Sequence, residues 1–514
     1  MKSIRIEGLR SLVDTGFVEL KPINVLVGTN SSGKSSFLRV FPLLRQSIER
    51  RTRGPILWNG TYTDFESFST SKYRGVDNET ISFSFDFEFE QGRGYGFKKI
   101  KDIFLKTKIC LEAGNKRNTC YTKMLSVDVD GHMINFNFDS DGMIKVVDSN
   151  KIRWELSNTK YQLTDTNTII PIVGTNDIQF GYWIAKQNKD KNDISSQVFN
   201  MIKTRIREFT GSRSEGKIHD MSIAVVSGIM TDEDKLIMME SLRSTNKWEQ
   251  KIKEWKSFNN NSEWRVFSAL IDLYSVISNT MDINLQITSN LKNVRYVAPL
   301  RASTERYYRY QDLSIDEIDH RGENIGMFLT NIPRKWRKNL DEWTNSYFGF
   351  VIDESTSSSH IAINLKYNEG KSTNVADMGF GFSQILPIIV QLWSVSSGYE
   401  KSLRGRASKQ YIFAIEQPEL HLHPKMQANL ASVFSGAVEL AEKNDIDLRL
   451  VIETHSSAMI SKFGDQIVSD ELDENDVNIV IFDQDRALSK TMISYSFFNN
   501  EGELENWPDG FFSY

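Results

Sequence analysis

The chain has 514 residues, 39% hydrophobic and 25% charged, a balance that excludes a disordered or fibrous protein and predicts a globular fold of two or three structural units. A formal net charge of −5 excludes a general electrostatic pull toward nucleic acid and leaves only local basic faces for that role. Two cysteines, Cys110 and Cys120, exclude a disulfide framework or a thiolate zinc site and fit a reducing cytosol.

The first residues, Met1-Lys2-Ser3-Ile4-Arg5-Ile6, alternate as a strand does and lack the apolar core of a signal peptide. Phe17-Val18-Glu19-Leu20 follows an Asp14-Thr15-Gly16 turn. The two runs predict strands leading to the next element. That element is the apolar, β-branched run Ile23-Asn24-Val25-Leu26-Val27, which enters Gly28-Thr29-Asn30-Ser31-Ser32-Gly33-Lys34-Ser35-Ser36. The order predicts a buried strand, a phosphate-wrapping loop and a helix start. Gly28 and Gly33 permit backbone conformations that bring amide N–H groups to phosphate oxygens. Lys34 is placed to reach the β- and γ-phosphates of ATP, and Ser35 to set its hydroxyl on Mg²⁺. The positive end of the following helix faces the same anion. Asn30, Ser31 and Ser36 complete the candidate nucleotide-binding set. The helix carries Phe37, Val40, Leu43 and Leu44 on one side and should fade in the basic, Gly-Pro-containing segment Arg50 to Pro55. That cluster reads as a solvated helix end ahead of a phosphate contact.

Residues 80–160 change period. Ile81, Phe83, Phe85, Phe87 and Phe89 alternate with polar residues, and Asp130-Gly131 and Asp141-Gly142 separate further alternating runs. An antiparallel meander follows, its aromatic stripe read as core ahead of a base-stacking platform. From 195 to 290 the period becomes helical, with Asp232 to Trp248 one candidate helix and Trp264, Phe267, Leu270, Ile271, Tyr274 and Ile277 marking another. No heptad repeat is sustained over many turns, so a long coiled-coil arm is not expected. A strand-like run returns at Val294 and stops at Pro299, with Arg301 just beyond it, as much a surface ion-pair arginine as an interface residue. Arg334-Lys335-Trp336-Arg337-Lys338 suits either a nucleic-acid grip or an amphipathic helix with its tryptophan buried.

Three later stretches supply a second half to the phosphate site. Asp377-Met378-Gly379-Phe380-Gly381-Phe382-Ser383-Gln384 is a glycine-rich turn opening an apolar helix from Ile385 to Trp393. Pro387 lies early enough in that helix to be tolerated, and Gly381 and Ser383 make a second candidate phosphate surface. A polar loop from Ser394 to Lys409 follows. The run Tyr411 to Ile415 then delivers Glu416 at its carboxyl end, the ligand edge of a parallel sheet, where an acid can join Ser35 in holding Mg²⁺. His421 and His423, two apart with no third clear ligand, make a poor zinc site. Arg449-Leu450-Val451-Ile452 ends in Glu453-Thr454-His455, where His455 can bond a γ-phosphate or an attacking water. Asp483 and Asp485 end another apolar run; as a nuclease-type metal pair they lack an upstream glutamate strand and much following chain.

With these stretches together, the chain resembles the ABC-type ATPases of the SMC, RecF and OLD group. It is most similar to the compact AAA-labelled ATPases of bacterial phage-defence systems such as Septu, retron-linked Septu-like and PARIS. Residues 1–45 and 290–514 carry the likeness. The resemblance implies Gly28 to Ser35 as Walker A, Gly379 to Gln384 as a divergent signature, Glu416 to Pro424 as Walker B with its D-loop, and His455 as the switch histidine. Tyr296 to Arg301 and Trp507 to Phe512 also fit it, while 70–290 matches only in kind. It further implies an even-numbered homo-oligomer, most simply a dimer. ATP on Lys34 of one head would be capped by Ser383 of the next. The chain departs from the usual Asp-Glu-Pro at Glu416-Gln417-Pro418. A neutral Gln417 cannot accept a proton as a carboxylate does but can orient water, which implies slow hydrolysis. No persuasive Q-loop glutamine follows the first helix, and Gln46 within it is a weak candidate.

The expected fold is α/β, an ABC/SMC-like P-loop ATPase head (1–70 and 290–514) with an antiparallel β subdomain (71–194) and a helical insertion (195–289). The expected activity is ATP binding and hydrolysis with ATP and Mg²⁺ as cofactors, and Glu416, Gln417 and His455 as the catalytic set. The expected role is a cytoplasmic switch that controls a separate effector, a nuclease encoded nearby. A DNA-repair or DNA-end-binding ATPase, with nucleic acid as partner, is the alternative. The long middle insertion and the lack of any apolar run near the roughly 20 residues that span a bilayer argue against a transporter motor and a membrane partner.

Overall fold

The computed structural model describes residues 1–50, 52, 54–75, 79–92, 100–115, 119–149, 153–160, 168–173, 194–211, 213–242, 244–257, 261–299, 305–357, 359–367, 370, 372–404, 410–485 and 489–508. The strand Ile23–Gly28 is buried along its whole length because each of its faces meets a different core. Ile23, Val25 and Val27 pack with Phe413, Ile415, Leu450 and Ile452 on one side. Leu26 packs with Ile412, Ala414, Val451 and Phe482 on the other. A strand sandwiched in this way has no polar face to alternate with, which explains its continuous apolar run.

Five strands run parallel in the order Val294–Val297, Gln410–Glu416, Asp447–Glu453, Ile23–Gly28, Val477–Asp485. Lys490–Phe498 and Leu504–Glu505 add antiparallel strands beyond the last. The register sets Glu416 beside Glu453, Glu453 beside Leu26, and Gly28 beside Phe482. The carboxyl ends therefore line up at one edge, where α/β sheets place their ligands. Helices Lys34–Leu38 and Val40–Glu49 follow the phosphate loop and meet at Arg39. Phe380–Ser396, Pro424–Lys443 and Ser457–Val468 cover the other face of the sheet. The result is an α/β fold, a mainly parallel sheet with helices on both faces and a strand–loop–helix unit at its carboxyl edge.

The meander is larger than its two Asp-Gly turns announce. Among the described residues, a nine-stranded antiparallel sheet runs from Arg153–Lys160 through Met143–Ser149, His132–Phe138, Cys120–Val129, Ile103–Ala113 and Thr80–Phe89 to Ser3–Leu9 and Leu12–Asp14. Val18–Glu19 pairs with Ser3–Leu9 as well. The strands read at residues 4–6 and 17–20 thus join this sheet and not the phosphate-loop strand. Asp130 (φ 51°) and Gly131 (φ 78°) both take the left-handed conformation that a two-residue hairpin demands. The aromatic stripe is core, with Phe83, Phe85 and Phe87 at most 1% exposed.

Helices Ile194–Thr210, Glu215–Val225, Asp232–Ser241, Asn246–Ser257 and the 31-residue Ser262–Lys292 form the helical region. The run read as one helix from Asp232 to Trp248 is two, parted after Ser241. Asn261 caps the long helix by accepting from the Glu263 and Trp264 amides. Asp272 on that helix meets His132 of the sheet and Lys235 of the Asp232–Ser241 helix, all three buried.

Arg334–Phe348 is a helix whose Trp336 packs on Trp393 and Tyr399, so its tryptophan faces inward. The segment read as a loop from Ser394 instead continues as helix to Ser396 and re-forms over Tyr399–Arg404. Arg51, Arg53, Arg301 and Asp509 to Phe512 lie outside the described residues. Among the described residues no helix is long and apolar enough to cross a membrane.

Candidate nucleotide site

The loop between Ile23–Gly28 and the Lys34–Leu38 helix closes through the backbone conformations its sequence allows. Gly28 (φ 149°) lies so close to the next strand that a Cβ there would meet the Phe482 carbonyl oxygen at 2.1 Å. Gly33 (φ 105°) would meet Thr491 Oγ1 at 2.6 Å. Thr491, on the antiparallel strand Lys490–Phe498, donates to the Ser32 carbonyl at 2.7 Å and bonds Ser11 Oγ at 2.9 Å. The phosphate loop is thus held from behind by two segments remote in sequence. Asn30 and Ser31 are exposed at its tip, and Ser36 is half-buried in the first helical turn.

Lys34 turns back on this loop, its Nζ donating to the Gly28 carbonyl at 2.8 Å and the Thr29 carbonyl at 2.7 Å. Burial lowers its pKa, against the pull of the Glu453 and Glu419 carboxylates. Ser35 Oγ donates to Glu453 Oε1 at 2.8 Å. The acid beside the loop serine is therefore Glu453, at the end of the neighbouring strand, a residue to which the sequence reading gave no role. Burial pushes its carboxyl up to about 7. Its Oε2 is buried and has no hydrogen-bond partner among the described residues.

Glu416, expected to share Mg²⁺ with Ser35, stands one strand further out with other partners. Arg39 clamps it with Nε to Oε1 and Nη2 to Oε2, both at 2.7 Å. The Tyr296 hydroxyl adds a third bond to Oε1 at 2.8 Å. The Glu416 hydrogen bond and charge raise the Arg39 pKa. Burial, then the charge of Glu416, raises that of Tyr296. Arg39 follows Ser35 by four residues, one helical turn, so the helix start aims serine and arginine at the two acids in turn.

Gln417 has its backbone in the left-handed region (φ 41°), and its N–H donates to the Glu453 carbonyl at 2.9 Å. The first residue past Glu416 is thereby tied to the neighbouring strand end. His455 gives its main-chain N–H to Glu419 Oε1 at 2.7 Å. Burial, and then the Lys34 ammonium, keep its imidazole below the ordinary range and so neutral at neutral pH. Ser383 is buried in the first turn of its helix, and a Cβ on Gly381 would meet Leu422 and the His421 carbonyl. The glycine-rich turn thus packs on the loop that follows Glu416. His423 caps the Pro424–Lys443 helix, its Nδ1 accepting from the Lys425 amide at 3.3 Å. Gln46 bonds Leu57, Tyr62 and Thr63 main-chain atoms and so pins the segment after the first helices. Asp483 accepts from the adjacent Gln484 amide.

The arrangement suits a Mg²⁺-nucleotide on its own terms. A lysine lies over the loop carbonyls, a serine hydroxyl follows it, and a buried carboxylate oxygen beside that serine has no hydrogen-bond partner among the described residues.

The chain is similar to several known proteins. An endonuclease named GajA from Bacillus cereus (strain HuB5-5) is 23% identical over 275 residues, covering 45% of this chain and 38% of that protein. The chain thus spans well under half the length of this relative. An Smc head domain with an extended coiled coil, bound to the C-terminal domain of ScpA from Pyrococcus furiosus, aligns over 96% of the chain with 11% identity and a TM-score of 0.36. The SMC head domain from Thermotoga maritima also aligns over 96%, with 7% identity and a TM-score of 0.34. At that level of likeness the assignment rests on the family match. The family model described as AAA ATPase domain matches residues 1–460, and the chain belongs to that family.

Proposed function

We propose that this chain binds ATP with Mg²⁺, hydrolyses it slowly, and acts as the nucleotide-driven switch of a bacterial antiphage complex. In this reading it forms a homodimer or a larger even-numbered oligomer through its ATPase heads and controls a separate nuclease. One observation carries the nucleotide part: Lys34 and Ser35 leave a braced phosphate loop at the carboxyl edge of a parallel sheet, beside a buried acid. The name of the endonuclease relative supports the nuclease association, and the sequence resemblance supports the defence setting. The head comprises residues 1–70 and 290–514, and it shares a sheet with the β region through Ser3–Leu9.

The residues divide the work by position. Gly28 to Ser36 wrap the phosphates with main-chain amides, and Lys34 moves from the loop carbonyls to the phosphate oxygens. Ser35 and a strand-end acid would hold Mg²⁺, which would supply charge neutralisation to the phosphates. Gln417 stands where the usual catalytic glutamate does. Its amide can orient a water but takes no proton, so the reading assigns it positioning and predicts low turnover. His455, neutral, offers one ring nitrogen as donor and the other as acceptor to the terminal phosphate or its water. Gly381 and Ser383 cap the nucleotide of the neighbouring head, which requires the buried Ser383 to be uncovered when the heads meet.

The test is ATP turnover by the purified chain, alone and with DNA, with Lys34→Ala as control and size measured with and without ATP. Turnover and ATP-dependent association that are both lost in Lys34→Ala support the proposal. Tight ATP binding without turnover makes the chain a nucleotide-held scaffold. Turnover that requires DNA replaces the switch by a DNA-repair or DNA-end-binding ATPase.

A further inference from the structure

The two strand-end acids of the site are not equivalent, and their partners separate them. Glu416 has both oxygens engaged, accepting two bonds from Arg39 and one from Tyr296. The Arg39 guanidinium is planar and matches a carboxylate along its open edge, which is the edge a cation would approach. Glu453 is held by a single bond, from Ser35, the loop residue whose hydroxyl faces Mg²⁺ in this kind of site. Its other oxygen is buried and without a hydrogen-bond partner among the described residues. Its strand neighbours the phosphate-loop strand directly, whereas the Glu416 strand is one further away. A buried carboxylate oxygen with no hydrogen-bond partner is costly, and beside a phosphate loop a divalent cation is a group that can relieve it.

We propose that Glu453 is the carboxylate that joins Ser35 in holding Mg²⁺, while Glu416 stays with Arg39 and Tyr296 as the brace that positions the Gln417 segment. This rests on the nucleotide reading above and deepens it. It reverses the expectation that the acid of the Glu-Gln-Pro segment holds the metal. The Glu416 brace ties three elements: the first helix through Arg39, the edge strand through Tyr296, and the strand carrying Glu416 itself. Gln417 leaves that strand with its N–H fixed to the Glu453 carbonyl. A shift of Glu453 onto a cation would therefore be felt at the backbone of Gln417, where the water-orienting amide begins.

The experiment reads binding, not turnover. ADP affinity of the full chain is titrated in EDTA and in Mg²⁺, and bound Mn²⁺ is followed by electron paramagnetic resonance with ADP present. Wild type, Glu453→Gln, Glu416→Gln and Lys34→Ala are compared. In Glu453→Gln, ADP binding in EDTA should match wild type, the Mg²⁺-dependent gain should vanish, and Mn²⁺ affinity should fall on the order of tenfold or more. In Glu416→Gln the Mg²⁺-dependent gain should persist. Retention of the gain in Glu453→Gln, or its loss in Glu416→Gln, overturns the proposal. ADP binding in EDTA shows in the two glutamine variants that the site has folded. Absence of ADP binding in wild type, or binding that Lys34→Ala leaves intact, would instead bring down the nucleotide reading itself.

Discussion

Replacing Asp272 by alanine tests what fastens the helical region to the nine-stranded sheet. Asp272 is 1% exposed, with Oδ2 2.8 Å from His132 Nδ1 on the sheet and Oδ1 2.6 Å from Lys235 Nζ on a second helix. Removing one partner of a buried pair strands the other charge, at a cost of about 3–5 kcal/mol. Lys235 would keep Asp232 Oδ1 at 2.8 Å and Ser268 Oγ at 3.0 Å. The Asp232 side chain is 44% exposed, so water weakens its pull without cancelling it. The loss should then fall at the lower end, about 3 kcal/mol. The double change Lys235→Met with Asp272→Leu removes both charges and should recover most of it. A chain of several units does not unfold in one step, so local hydrogen exchange over 232–241 and 264–277 is the suitable assay. Protection there should fall on the order of 100-fold in Asp272→Ala. A fall of less than about threefold would refute the reasoning, because the cluster would then not be what holds these helices down.

Three further outcomes follow from the nucleotide site. Gly28→Ala drives a Cβ against the Phe482 carbonyl, which is fixed by a parallel ladder and cannot rotate away. Hydrogen-exchange protection of the Ile23–Gly28 amides should fall on the order of 100-fold, and ATP binding should be abolished. Thr491→Val keeps the shape but deletes the bonds to Ser32 and Ser11. The expected loss is about 1–2 kcal/mol, read as roughly tenfold lower hydrogen-exchange protection over Lys490–Phe498, with roughly tenfold weaker ADP binding in a titration. Gln417→Glu supplies the missing carboxylate in the same shape and should raise ATP turnover on the order of 100-fold; an unchanged rate would argue that water activation does not limit hydrolysis.

The parts of the site legible in the sequence were those with a local signature. The strand, loop and helix around Gly28 to Ser35 lie in one continuous stretch, and the Asp-Gly turns name their own conformation. The parts that escaped depend on register between distant strands. Glu453 became visible as a site residue only once its strand was placed beside that of Ile23–Gly28. One signal was available: Tyr411 to Glu416 and Arg449 to Glu453 are both apolar runs that end in Ile-Glu, and parallel neighbours of that form bring their acids together. Arg39 could have been found from its spacing to Ser35, but its partner could not. Thr491 carries no motif, since a threonine on an alternating strand looks like any other. Residues 4–6 and 17–20 were legible as strands but not as members of the meander sheet, because hairpin signals name neighbours in sequence and not distant ones.

The order in which the central strands enter their sheet has a consequence for synthesis. The phosphate loop is made well before the strands that flank it, Asp447–Glu453 and Val477–Asp485, and before its brace, Thr491. About 450 residues separate the loop from that brace, so at roughly 5–20 residues per second a nascent chain spends some 20 to 90 seconds with the loop made but unsupported. For most of that interval, until Asp447–Glu453 is made, the strand Ile23–Gly28 has neither of its neighbours in the sheet. A chain that stops between Ser36 and Asp447 carries the loop sequence without either of the strands that flank it.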